Sequence, residues 1–249
     1  MRDLVTRLQH TDSMKCAVSL MAEIGVRMNH PTVAVIEDLS RTVLLNDEDG
    51  RRITEPFDWP SDFIEHWLRE NYTVHFPGAH ARLRTLPYVW NFPRAARDEK
   101  LSAKQRRVMR ELADVGAMQA INVPVHLPRA RVAIVSWLSH KEGVETERAL
   151  DLSCELMAAA HFFMNLVLRS EKAHEPAEQL PTLSPRELES LAWAARGKSD
   201  QDIAAICTLS PATVRCYIDS AASKLGATTR TQAVAVASEL GLLHGAVRH

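Results

Sequence analysis

The sequence predicts an α+β protein: an N-terminal α/β/α sandwich around an antiparallel sheet, followed by an all-α domain of four helices that includes a helix-turn-helix. Three observations carry this. Between Leu183 and Leu225, three helix starts stand close together, each opened by a serine cap. Met118 to His126 alternates in polarity, Leu127 to Ala130 turns, and Arg131 to Ser139 runs back, which is a hairpin. Glu171 to Thr182 is polar and carries two prolines, the composition of a linker. The expected division is therefore a sensor-like domain over residues 1–170, a linker over 171–182 and a helical domain over 183–249.

The opening MRDLVTRLQH is amphipathic and lacks the charged tip and apolar run of a secretion signal. A helix is expected from Thr11 to Met28, with Ala17, Leu20, Met21 and Ile24 on one face. Thr32 to Glu37 and Thr42 to Leu45 read as strands, and Asn46 to Gly50 as a turn. Pro60 to Asn71 reads as a helix carrying Phe63, Trp67 and Leu68 on one side. A short helix to Arg84 and a brief strand at Tyr88 to Trp90 follow. Ser102 caps a helix to Gly116 whose Lys104, Arg106 and Arg107 make its first half basic. Contact with RNA polymerase and a solvated face both fit that cluster, and the solvated face is favoured. After the hairpin, Gly143 to Lys172 reads as a long helix with apolar residues on more than one side, packed against both sheet and partner.

The last domain is the most explicit. Ser184 with Pro185 and Glu187 is a capping box with proline at the first helical position, and Leu183 with Leu188 forms a hydrophobic staple. Ser199 with Asp202 opens a second helix, and Ser210-Pro211 a third. In the third, Val214, Ile218, Ala221 and Leu225 form one apolar stripe, and Ala212, Arg215, Cys216, Asp219 and Ser223 form the opposite face. A short helix, a turn at Cys207-Thr208-Leu209 and a longer helix with a polar outer face is the pattern of a helix-turn-helix. Thr229 with Gln232 caps a last helix that ends at Gly241.

Composition limits the partners. The chain of 249 residues has a formal charge of −1, and from Leu183 onward seven basic residues face six acidic ones. Affinity for a duplex follows the number of phosphates neutralised, so one copy binds weakly and a homodimer is expected on energetic grounds. The longest apolar run, Leu156 to Leu168, is interrupted by His161 and Asn165 and is too short to span a bilayer, so no membrane partner is expected and a reduced, cytoplasmic setting is the default. Cys16, Cys154, Cys207 and Cys216 are scattered and form no framework. Zinc at Cys207, Cys216, His244 and His249 fits no finger spacing, so no metal is expected. There is no nucleophile–base motif and no glycine-rich phosphate loop, so an enzyme is not expected. Val35-Ile36-Glu37-Asp38 mimics the acidic pair of a phosphorylated receiver, but it follows a helix and precedes a hairpin, not a series of βα units.

The run S-P-R-E-x-x-x-L, G-K-S-x-x-D-I-A, S-P-x-T-V-R, K-L-G and R-T-Q-A-V-A to G-L-L, spanning Leu183 to Leu243 without a gap, resembles the DNA-binding domain of the LuxR family of transcription regulators. Thr208 stands where that family usually has glycine, and Tyr217 where it has histidine. Trp59-Pro60 to Trp90, the L-P-x-x-W at Leu86 to Trp90 and the segment through Pro124 to His126 resemble the family's acyl-homoserine-lactone-binding domain. The resemblance implies a quorum-sensing-type regulator that binds a near-palindromic duplex operator as a homodimer, with two recognition helices in successive major grooves.

Candidate DNA residues are Lys198, Ser199, Ser210, Thr213, Arg215, Cys216, Asp219 and Arg230. For Arg215, a guanine edge and a phosphate are both open. Asp219 is expected to hold Arg215 by an i,i+4 pair more than to accept from cytosine. Ser210 and Thr213 also serve as cap residues; Lys198, Ser199 and Arg230 fit backbone positioning better than base reading. Cys216 is read as an apolar contact before a redox handle. Candidate pocket residues are Trp59, Phe63, Trp67, Tyr72, Phe76, Trp90 and Ser136. The family places an aspartate before the proline at Pro77 to accept the signal's amide N–H; Phe76 stands there. An amide left unpaired in a buried pocket costs about 1–3 kcal/mol. A small signal molecule other than a standard lactone, and a chamber filled by its own aromatic side chains, are the two favoured readings; an ordinary lactone is the third.

Overall fold

The computed structural model describes residues 1–40, 45–53, 57, 59–76, 79–141, 151–172 and 181–243. Most of the strand expected at Thr42 to Leu45, Pro77, the start of the helix expected at Gly143, most of the expected linker, His244 and His249 lie outside that set. The chain divides into two compact units, the first Met1–Leu127 with Arg131–Glu175 and the second Pro128–Ala130 with Pro176–His249.

The first unit opens with α1 (Arg2–Gln9) and α2 (Met14–Arg27). Helix α2 starts later than the spacing of its apolar residues suggests because Ser13 caps it, its hydroxyl accepting from Cys16 N–H at 3.2 Å. Strand β1 (Thr32–Ile36) is followed by α3 (Ser61–Arg69), α4 (Tyr72–His75) and α5 (Ala79–Arg82). The single helix expected over 60–71 ends at Arg69 and restarts at Tyr72, because Asn71 adopts a left-handed backbone, φ 51° and ψ 47°, a conformation asparagine tolerates better than most. Then come β2 (Tyr88–Asn91), α6 (Phe92–Ala95), α7 (Ala103–Asp114), β3 (Gln119–His126), β4 (Val132–Ser139) and α8 (Ser153–Lys172).

The four strands make one antiparallel sheet in the order β1-β4-β3-β2. Both faces are covered, which is the expected α/β/α sandwich and explains why β4 is buried along its whole length. Alternation sorts the side chains. Val33, Ile121, Val123, Val135 and Trp137 face a core shared with α1, α2 and α8. Ala120, Ile134 and Leu138 face a second core with α4, α6 and α7. Trp137 is fully buried, and its indole N–H donates to the Met21 carbonyl at 3.1 Å, tying the sheet to α2. Gly25 makes this approach possible: a Cβ there would stand 3.0 Å from Trp137 Cδ1 and 2.3 Å from the His30 carbonyl oxygen.

His30 is fully buried beside this contact, its Nδ1–H donating to the Met28 carbonyl at 2.7 Å. Among the described residues its Nε2 has no hydrogen-bond partner, so a second proton would place an uncompensated charge in the core. Burial holds the folded-state pKa below the usual 6.5. The neutral form therefore contributes stability that is complete above pH 6.5 and is lost as pH falls from there through the depressed folded value. The thermal midpoint of the first unit is expected to fall between pH 7 and pH 5, and His30→Leu to flatten that slope; an unchanged slope would show that another group sets it.

The second unit has α9 (Pro185–Ala195), α10 (Asp200–Cys207), α11 (Pro211–Lys224) and α12 (Arg230–Glu239). Its caps match the sequence reading. Ser184 with Glu187 and Ser199 with Asp202 form complete capping boxes, and Ser210 and Thr229 accept from Thr213 N–H and Gln232 N–H. Leu191, Ile203, Val214, Ile218, Ala221, Ala233 and Ala237 form the core, with Leu183 buried at its edge and Leu188 against it. Glu187 does more than cap. It is 4 % exposed, and it receives Ser220 Oγ–H at 2.6 Å and Lys224 Nζ at 2.8 Å, joining α9 to α11. Burial pushes its pKa up, but these donors and the Ser184 N–H outweigh it and hold the carboxyl down at about 2.

Candidate nucleic-acid interface and ligand pocket

Helices α10 and α11 meet through the turn at Cys207-Thr208-Leu209. Thr208 takes the left-handed backbone expected of a position that usually prefers glycine, φ 57° and ψ 50°, and Leu209 N–H returns to the Ala204 carbonyl at 2.9 Å. This turn, with Val214, Ile218 and Ala221 packed inward, presents Ala212, Arg215, Cys216, Asp219 and Ser223 to solvent along one side of α11. Two basic side chains flank the N-terminal end of α10: Arg215 from α11 and Arg230 from the start of α12.

The polar groups here are more organised than the sequence suggests. Ser210 Oγ accepts from Thr213 N–H at 3.1 Å and bonds Thr213 Oγ1 at 2.8 Å, so both hydroxyls serve the cap. Ser199 Oγ–H donates to Asp202 Oδ2 at 2.7 Å while accepting from Asp202 N–H. Lys198 is exposed, and its carbonyl accepts from Arg230 Nη2 at 2.7 Å. Arg230 Nη1 also pairs with Asp200 Oδ1. The other oxygen, Asp200 Oδ2, accepts from Arg215 Nε at 3.5 Å. The i,i+4 pair expected between Arg215 and Asp219 is thus replaced by a pair across helices. Asp200 is only 19 % exposed, so water and salt screen it less than Asp219 in open solvent. Asp200 was visible in the sequence only as an acid following a cap, which the helix dipole alone explains.

In the first unit a cavity of about 100 Å³ lies between the second face of the sheet and helices α3, α4, α6 and α7. Ala34, Ile36, Ala120, Asn122, Ser136 and Leu138 form its sheet side. Ala34, Ser136 and Asn122 are register partners in one row, which is why strands distant in sequence converge there. Opposite them, α3 contributes Phe63 and Trp67 one helical turn apart. Trp59 stacks on Phe63 with centroids 5.6 Å apart and planes at 13°, and Trp67 stands 6.1 Å from Phe76. Both indole N–H groups bond within the protein, Trp59 to the Val33 carbonyl at 2.9 Å and Trp67 to Thr73 Oγ1 at 3.1 Å. The aromatic wall therefore presents faces without free donors. Ser136 Oγ–H donates to Asn122 Oδ1 at 2.7 Å, which leaves the serine lone pairs as acceptors.

Of the pocket residues expected from sequence, the structure brings Trp59, Phe63, Trp67, Phe76 and Ser136 to the wall and leaves Tyr72 and Trp90 outside it. The Tyr72 hydroxyl points to α7, donating to Glu111 Oε2 at 2.8 Å beside His66, while its ring supports Trp67 edge-on. Burial, and then this bond to a carboxylate, push the Tyr72 pKa up to about 12. Trp90 lies on the edge strand β2, paired with Ala120. Asn122, Thr73 and Glu37 were missed; inward alternation along β3 would have found Asn122.

The description "Bacterial regulatory proteins, luxR family" matches residues 181–237, and "Autoinducer binding domain" matches residues 17–166. The chain is 30 % identical to the putative HTH-type transcriptional regulator y4qH of Sinorhizobium fredii, over 76 % of this chain but only 56 % of that protein. It is 32 % identical to the HTH-type quorum sensing-dependent transcriptional regulator RpaR of Rhodopseudomonas palustris, over 74 % of this chain and 73 % of that one. Among solved structures, Escherichia coli SdiA aligns over 97 % of both chains with a TM-score of 0.56 at 15 % identity, and SdiA in complex with octanoyl-rac-glycerol over 100 % and 96 % with a TM-score of 0.57 at 16 %. At that identity the likeness is one of fold.

Proposed function

The chain belongs to the luxR family of bacterial regulatory proteins and carries that family's autoinducer binding domain in front, and on that premise we propose that it is a homodimeric transcription regulator whose α11 reads a near-palindromic duplex operator, in the cytoplasm and without chemistry of its own. The observation that carries this reading is the outer face of α11, held clear of the core by the Thr208 turn, with Arg215 74 % exposed at its centre. Two copies set about one helical turn apart bring two such helices into successive grooves. Lys198, Ser199, Ser210, Thr213 and Arg230 position the backbone, and Cys216 makes an apolar contact. Among the described residues no helix is long and apolar enough to cross a membrane.

For the signal, the cavity supports a ligand over a chamber packed by its own side chains, since Trp59, Phe63, Trp67 and Phe76 border the space without filling it. The wall offers ring faces and, at the sheet side, the Ser136 hydroxyl and the buried Glu37 carboxylate as acceptors; Phe76 supplies no acceptor to an amide. A compact, largely apolar, ring-bearing molecule suits this better than an acyl-homoserine lactone. That SdiA binds octanoyl-rac-glycerol in its solved complex is consistent with a non-lactone signal on this fold. Native mass spectrometry of the 249-residue chain purified without added signal tests both points. A dimer carrying a small molecule with no lactone ring is expected. A monomer at micromolar concentration contradicts the assembly, and a co-purifying homoserine lactone contradicts the pocket reading.

A further inference from the structure

Resting on the reading that α11 enters a major groove, we infer that Asp200, on the neighbouring helix α10, is a positioning residue for base recognition. Its Oδ2 holds the Nε edge of Arg215 and leaves both Nη groups to face a guanine.

Arginine has five donors in a planar fork, and Nε together with one Nη forms the side edge, while Nη1 and Nη2 form the end. Reading guanine O6 and N7 takes two donors presented in a fixed plane. A side chain as long as arginine and 74 % exposed reaches that arrangement only after losing rotamer freedom, unless the protein has already restricted it. Asp200 supplies the restriction. Its Oδ2 lies 3.5 Å from Nε, and among the described residues no other protein group bonds Arg215, so Nη1 and Nη2 are unengaged on an exposed side chain.

Asp200 is itself fixed. It is the first residue of α10, behind the Ser199 cap, and its Oδ1 pairs with Arg230 Nη1. Arg230 is anchored in turn, with Nη2 donating to the Lys198 carbonyl at 2.7 Å. Three helices thus meet in one relay: the Lys198 carbonyl holds Arg230, Arg230 holds Asp200, and Asp200 holds Arg215. A favourable helix dipole accounts for an acid at this position. It does not account for both carboxylate oxygens engaging guanidinium groups from two other helices.

The test uses the full chain and a duplex selected by the wild type from a random pool, with each guanine in turn replaced by 7-deazaguanine, which lacks the N7 acceptor. Wild type is expected to lose about tenfold in affinity at one guanine per half-site, the order of one lost bidentate contact. Asp200→Asn keeps one oxygen for Arg230 but cannot serve both arginines. It is expected to bind the natural duplex about tenfold more weakly and to be indifferent to the 7-deaza change, while affinity for random duplex, salt slope and thermal midpoint stay within twofold or a degree or two. Arg215→Ala, which has no donor, should show the same indifference. Retained guanine sensitivity in Asp200→Asn overturns the inference. So does equal weakening on every duplex, which is a structural role, or tighter binding to every duplex, which is simple repulsion removed. Failure of the wild type to select any duplex is a different result: it removes the underlying reading of α11.

Discussion

Arg215→Ala is expected to erase sequence discrimination while leaving the fold intact. A bidentate contact to a base is worth about 1–3 kcal/mol of discrimination. A homodimer on a two-fold site forfeits it twice, about 2–6 kcal/mol in total, which brings specific binding close to the non-specific level. Stability should change by no more than about 0.5 kcal/mol, because the side chain is 74 % exposed and its ion pair among the described residues, with Asp200, is long and lies at the surface. The measurement is affinity for a selected duplex and for random competitor, with the thermal midpoint alongside. A uniform weakening on both duplexes, with a shallower salt slope, would instead make Arg215 a phosphate contact.

Glu187→Ala carries the largest expected loss of stability. Glu187 completes the α9 cap through Ser184 N–H and receives Ser220 and Lys224 from α11, all while 4 % exposed. Losing the cap costs about 1 kcal/mol, and losing the charged hydrogen bonds about 1.5–3 kcal/mol. The released Lys224 is 42 % exposed and returns to water, which moderates the loss. A total of about 2–4 kcal/mol is a large share of what a unit of this size holds, and corresponds to a drop of about 10 °C or more in its midpoint. Amide exchange in α9 and α11 of the full chain reports it directly. The pH dependence has a definite sign. The folded pKa is depressed to about 2 from 4.5, so the contribution is complete above pH 4.5 and disappears as pH falls from there toward 2. Glu187→Gln should remove that acid-sensitive component; an acid transition unchanged in the variant would place it elsewhere.

The helical unit was legible almost residue by residue because its signals are local. Caps, staples and the i, i+4 stripe act within one helix, and the structure places Ser184, Ser199, Ser210 and Thr229 where those rules put them. The hairpin was equally legible from alternation. Contacts across elements were not. Spacing offered Asp219 as the partner of Arg215, but the folded chain chose Asp200, 15 residues away, because the turn at Thr208 brings the start of α10 beside α11. The break at Asn71 was invisible for a different reason: apolar periodicity continues through it, and only the backbone reveals the left-handed residue. In the pocket, spacing put Phe63 and Trp67 on one helix face and the family resemblance assigned them to the wall, whereas Tyr72 turned its hydroxyl toward Glu111 on a helix far along the chain. Asn122 and Ser136 share a row only through strand register.

The central claim is that α11 of this protein reads duplex sequence. Selection of the whole 249-residue chain against a random duplex pool, at fixed salt, tests it most directly. Enrichment of a near-palindromic site is expected, with half-sites about one helical turn apart and binding roughly a thousandfold or more tighter than to random competitor. A pool that emerges unenriched, with every duplex bound alike, would contradict it.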